Sequence, residues 1–136
     1  FYFSNIRVLN NHLDKFPIKV LFGMEANILD NTGKTDYEGI YCLEDECKVI
    51  IASCHAPCID KNNTYDYITE AYINAIKKPY VNILGHIDDG NFECDYEKIV
   101  KTAIDNNVLI EVNNSSNGKG SFRINSNENT LKYLKI

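Results

Sequence analysis

Glu25, His55, His86 and the pair Asn113–Asn114 each follow a short apolar run, and the intervals between them are nearly constant at 30, 31 and 27 residues. One strand with its following helix takes about 30 residues, so each of these positions falls at the C-terminal end of its own strand. In a βα barrel those ends meet at one rim, where such folds keep their active sites. One carboxylate and two imidazoles facing a common point form a ligand set for a divalent transition metal, with imidazole suiting Zn, Mn or Fe and the carboxylate able to bridge two ions. A single histidine after a strand is more commonly a hydrogen-bonded structural residue. The regular register of several such positions is what favours ligation.

Other reactive side chains give weaker patterns. Cys54, His55 and Cys58 are close enough to suggest zinc, but no second closely spaced pair completes four ligands, and the H-x-E partner of a zinc deaminase is absent. The five cysteines, Cys42, Cys47, Cys54, Cys58 and Cys94, therefore read as small buried apolar residues. A Cys54 nucleophile activated by His55 is disfavoured because adjacent strand residues point to opposite faces. Gly118 to Gly120 lacks the full phosphate-loop frame and reads as a turn. Arg7 and Arg123 are the only arginines, and their planar forks suit a phosphate, with surface solubility as the competing reading. His12 reads as an exposed loop residue.

The elements that must position these residues alternate strand and helix, the pattern of a parallel sheet covered by helices. Strands are expected over 18–24, 49–54, 81–85 and 108–112. Thr64 can cap a helix whose Ile68, Ala71, Tyr72, Ala75 and Ile76 fall on one face, closed by Lys77, Lys78 and Pro79. Asp95, with Glu97 behind it, can cap a second helix with an apolar stripe of Ile99, Val100, Ala103 and Ile104, stopping at Asn106–Asn107. Leu29 to Asp36 reads as a hairpin or loop around Gly33, followed by a short helix near Leu43–Cys47. A final helix is expected from about Ser126.

Composition bounds the function. At 136 residues, with 44% hydrophobic and 24% charged side chains, the chain is expected to form one soluble domain over 1–136. A formal net charge of −5 supplies no basic stripe for nucleic acid. No apolar run approaches the roughly 20 residues that span a bilayer, and the N-terminus lacks the basic-then-apolar pattern of a signal peptide. An odd number of cysteines within ordinary apolar patterns fits a reducing cytoplasm. Phe1 in place of a methionine, and an apolar helix-like run up to Ile136, read as cut ends.

The strings Gly23 to Ile28, Ala52 to Pro57, Leu84 to Asp89 and Glu111 to Ser116, in this order and spacing, resemble the polymerase and histidinol phosphatase (PHP) family in its YcdX-like phosphatase branch. The resemblance implies a distorted (β/α)7 barrel of the TIM-like kind, parallel strands with outer helices, whose rim binds three divalent ions for phosphoester hydrolysis. It implies that Glu25 is the metal-bridging glutamate, His55 the histidine of an H-x-P motif and His86 the histidine of the next strand end. Asn113, Asn114 and Ser115 match its N-N-S-S segment, as partners of the metal ligands or as groups on the substrate side; Arg7 and Arg123, from their own chemistry, are candidates for holding the substrate's phosphate. The family's opening H-x-H and closing D-x-H have no counterpart within 1–136, and Ile87 stands where a proline is usual. A closed βα barrel takes about 200 residues or more, so the chain is expected to be the truncated middle of one. The expectation is a metal-dependent phosphatase acting on a small phosphate ester. A PHP-like binding or structural module without a complete metal site is the alternative, and amidohydrolase-type chemistry is a weaker third reading.

Overall fold

The computed structural model describes Lys15, residues 17–39 and residues 47–112. Four strands, β1 (Gly23–Asn27), β2 (Val49–Ser53), β3 (Ile83–Leu84) and β4 (Leu109–Ile110), form one sheet in the order β1-β2-β3-β4 with every neighbouring pair parallel. Helix α1 (Tyr65–Ile76) lies between β2 and β3 in sequence, and α2 (Tyr96–Asp105) between β3 and β4. The alternation expected from sequence thus holds as an α/β arrangement of parallel strands and helices.

The side-chain period of two divides the sheet into unlike faces. Register pairs Ala26 with Ala52 and Ala52 with Leu84, and all three are fully buried. On that face Ala52, Cys54 and Leu84 pack with Ile68, Ala71, Tyr72 and Ala75 of α1 and Ile99 and Ala103 of α2 in one apolar cluster. The opposite face carries Glu25, Asn27, Ser53 and Gly85. Polar groups there are not covered by the two helices' apolar stripes, which is what leaves them available for chemistry.

The caps form as expected. Thr64 Oγ1 accepts from the Tyr67 N–H at 3.3 Å, and Asp95 Oδ1 accepts from the Lys98 N–H at 3.0 Å; each satisfies one of the backbone donors that a helix start leaves open. Asn106 caps the end of α2, and Asn107 follows it with a φ of 57°, a left-handed position that asparagine tolerates. Beyond β1, Ile28 bridges Thr35 in antiparallel fashion and Gly33 turns with a φ of 72°. A Cβ on Gly33 would stand 2.2 Å from the backbone nitrogen of Ala75, so glycine lets this loop seat directly on α1.

A polar network joins this insertion to the segment before β3. The Tyr80 hydroxyl donates to Glu38 Oε1 at 2.6 Å and lies 3.0 Å from Thr35 Oγ1, while Lys78 Nζ lies 2.9 Å from the same Glu38 oxygen. The tyrosine hydroxyl and the lysine hold the Glu38 carboxyl below its ordinary range, and burial followed by the Glu38 bond raises the Tyr80 phenol.

Two expectations need correction. The first strand begins at Gly23, not Ile18: Ile18, Val20 and Leu21 are exposed, because the pairing that defines the strand begins with Gly23 opposite Val49. Ile104 does not belong to the buried stripe of α2. It is 61% exposed in the last turn, where neither α1 nor the sheet covers it, while Ile99, Val100 and Ala103 are buried. The expected helix near Leu43 and the final helix from Ser126 lie outside the described residues. No helix among the described residues is long and apolar enough to cross a membrane.

Candidate metal centre

Glu25 stands in β1, His55 two residues beyond β2 and His86 two residues beyond β3. The histidines lie past their strand ends, whereas Glu25, opposite Ile51, stands in the middle of β1 and not at the strand end expected from sequence; its side chain meets the imidazoles from there. One ligand atom from each lies within 4.8 Å of the others. His86 Nε2 is 3.2 Å and His55 Nε2 3.5 Å from Glu25 Oε1, and the two imidazole nitrogens are 3.1 Å apart. Donors sharing one ion at about 2.1 Å are separated by about 3.0 Å at octahedral and about 3.4 Å at tetrahedral angles. The three separations fit that requirement, and the nitrogen–oxygen donor set suits a transition metal.

Each donor is held by a different local device. The Ser53 hydroxyl donates to Glu25 Oε1 at 2.8 Å. A Cβ on Gly85 would stand 2.2 Å from Ser53 Oγ and 3.5 Å from Glu25 Oε1, so the missing side chain leaves the space in which hydroxyl and carboxylate meet. His55 Nδ1 lies 2.7 Å from Asn27 Oδ1. His86 has a left-handed backbone, φ 32° and ψ 40°, and its N–H donates to Glu111 Oε2 at 2.8 Å. A non-glycine residue in that region carries strain that persists only where its surroundings enforce it, a condition found most often at functional sites.

A cavity of about 230 Å³ opens beside the two imidazoles and is also lined by Lys61, Asn91, Phe92 and Cys54. Lys61 contributes a cation and Asn91 an amide to the lining of the cavity that His55 and His86 share. Neither was evident from sequence, because both sit in turns with no motif around them. Ser53, Asn27 and Gly85 had a faint signal: the strand period of two sets Asn27 on the face of Glu25 and Ser53 on the face of His55.

Among the described residues the cysteines take no part in the three-donor group, and Cys42 lies outside the described residues. Cys47, Cys54 and Cys94 are buried in the apolar clusters and Cys58 is half-buried. Arg7, His12, Asn113, Asn114, Ser115 and Arg123 lie outside the described residues.

No family model matches the chain. Curated proteins do. The chain is 42% identical over 116 residues to a protein of Clostridium botulinum (strain Hall) named "Probable phosphatase", covering 85% of this chain and 46% of that relative. A "Probable phosphatase" of Thermoanaerobacter sp. (strain X514) is 39% identical over 116 residues, covering 85% and 45% respectively. Another, of Clostridium novyi (strain NT), is 35% identical over 138 residues, covering 99% and 52%. The chain spans about half the length of the curated relatives it matches, and all three of these carry the name of a phosphatase.

Proposed function

We propose that the chain is part of a metal-dependent phosphatase that hydrolyses a small phosphate ester, and that residues 1–136 belong to a single PHP-like domain of the YcdX-like branch, within a distorted TIM-like (β/α)7 barrel. The observation that carries this reading is the convergence of Glu25 in β1 with His55 and His86, which follow the adjacent parallel strands, at donor separations of 3.1 to 3.5 Å. The names of the relatives support the reaction class.

Glu25 Oε1, His55 Nε2 and His86 Nε2 would hold a divalent ion, Zn, Mn or Fe, as one part of a multinuclear centre in the complete domain. When bound, such ions supply water that ionises near neutral pH and neutralise charge on the phosphoryl oxygens. The chain's own groups do the positioning. Ser53 orients the carboxylate, Asn27 orients one imidazole, and the strained turn at His86 fixes the other. Lys61 and Asn91 bring a charge and an amide to the cavity where the ester would sit, and Lys61 suits a phosphate as a point charge. Arg7 and Arg123 would add bidentate contacts to the phosphate, and Asn113, Asn114 and Ser115 would line its approach.

A cavity of about 230 Å³ favours a small ester over a polymer, and a net charge of −5 opposes a polyanion away from the metals. No nucleic acid or membrane partner is proposed, and the cysteine pattern suits a cytoplasmic setting. The test uses the full-length protein and p-nitrophenyl phosphate. A chelator should abolish hydrolysis, and added Mn or Zn should restore it. Hydrolysis undiminished by exhaustive chelation would overturn the proposal.

A further inference from the structure

The Asp36 carboxylate can only accept hydrogen bonds, and it accepts two from one residue. Its Oδ1 takes the Asn27 backbone N–H at 2.8 Å and its Oδ2 takes the Asn27 side-chain Nδ2 at 2.6 Å. The amide nitrogen of Asn27 is therefore committed to Asp36, and its oxygen is turned the other way, to within 2.7 Å of His55 Nδ1. A carbonyl oxygen can only accept, so the His55 nitrogen facing it must carry the proton. In a neutral imidazole that leaves the lone pair on Nε2, the atom 3.5 Å from Glu25 Oε1 and 3.1 Å from His86 Nε2.

We propose that Asp36 and Asn27 form a positioning relay that sets the tautomer of His55, so that its Nε2 is ready to bind a metal ion before the ion arrives. The inference rests on the metal-centre reading above and adds two residues to it. Neither residue touches the ion or the ester. Asp36 belongs to a 3₁₀ turn (Asp36–Gly39) that follows the loop seated on α1, so the insertion between β1 and β2 acts as the brace of the ligand. Without the relay, His55 would divide between tautomers, and the form with a proton on Nε2 cannot ligate through that atom.

The test exchanges the two groups. In Asp36→Asn an amide replaces the carboxylate, and one of its two hydrogen bonds to Asn27 must be lost unless the Asn27 amide flips, which turns a donor toward His55. Metal affinity should fall about 10-fold to 100-fold, the usual cost of losing an outer partner of a metal-binding histidine. Asn27→Asp sets two carboxylates against each other and should fall similarly. Combining Asn27→Asp with Asp36→Asn restores every hydrogen bond with the roles reversed: the carboxylate at position 27 accepts from His55 and from the amide at position 36, whose oxygen takes the backbone N–H.

Two readouts on the full-length protein decide the matter. The first is Zn affinity by chelator competition; the second is the ¹⁵N spectrum of His55 in metal-free protein at alkaline pH. The native protein and the double variant should both show the proton on Nδ1, and the double variant should recover most of the roughly 10-fold to 100-fold loss of Zn affinity seen in each single variant. A double variant that fails to bind, whether or not it folds, overturns the relay, as does Asp36→Asn with unchanged affinity and tautomer. A native protein that binds no Zn yet keeps the Nδ1 proton would contradict the metal centre while leaving the tautomer relay standing.

Discussion

His55 and His86 have ring centroids 5.0 Å apart, yet they differ in exposure and in backbone conformation. The side chain of His55 is 37% exposed and is fixed through its ring, by a side chain on the neighbouring strand. That of His86 is 9% exposed, and its main chain adds a further constraint, a left-handed turn whose N–H donates to Glu111. A ring held by a hydrogen bond has its protonation pattern set but depends on a second residue staying in place. A left-handed backbone sets the direction in which the side chain leaves the chain, and burial of the ring restricts its torsions. The pair thus joins one half-exposed ligand to one buried ligand, both beside the same carboxylate.

The contrast breaks most visibly when the rings themselves are removed. Either His55→Ala or His86→Ala should weaken Zn binding beyond the roughly 100-fold that outer partners cost, but the two should differ in stability. His86→Ala empties a buried position and is expected to lower unfolding free energy by about 1–3 kcal/mol, against about 0.5 kcal/mol or less for half-exposed His55, as read by urea denaturation of the metal-free protein. Equal losses would mean the two imidazoles are held alike.

Glu111→Ala sharpens the main-chain half of the comparison. It removes the charged acceptor of the His86 N–H and should cost about 1.5–3 kcal/mol, with weaker Zn binding and the Nδ1 proton of His55 unchanged. Gly85→Ala tests their common anchor. The added methyl displaces Ser53 from Glu25, and a cost of about 1–3 kcal/mol in thermal or urea unfolding is expected together with reduced Zn affinity.

The smallest effect concerns pH. Folding lowers the Glu38 carboxyl, first through the Tyr80 hydroxyl and then through Lys78, so the stability it contributes is fully present above the ordinary carboxylate range and is lost as pH falls through the depressed folded value. Tyr80→Phe should flatten that acid limb of the stability curve. The carboxyl is partly solvated, so the change is small, and Zn binding at neutral pH should not respond.

Sequence made the positions of His55 and His86 past their strands legible because each follows an apolar run at the spacing of one strand and helix, but it ended β1 near Glu25, two residues before Asn27, where the strand stops. Thr64 and Asp95 were legible as caps because a polar residue before an amphipathic stretch has one obvious use. Asn27 and Asp36 were not, since their meeting depends on how the loop around Gly33 folds back on α1, which no local pattern encodes. Ile18 to Leu21 misled because an apolar run marks a strand only where a neighbour pairs with it, and Ile104 because the helical period continues past the point where the sheet stops covering it.

The central claim is that Glu25, His55 and His86 bind one ion together. Titration of the purified full-length protein with Co(II), followed by its visible absorption, tests it most directly. Binding should be saturable in the native protein, and the band assigned to this site should be absent from the variant combining Glu25→Gln, His55→Ala and His86→Ala. Identical spectra and stoichiometry for the two proteins would contradict it.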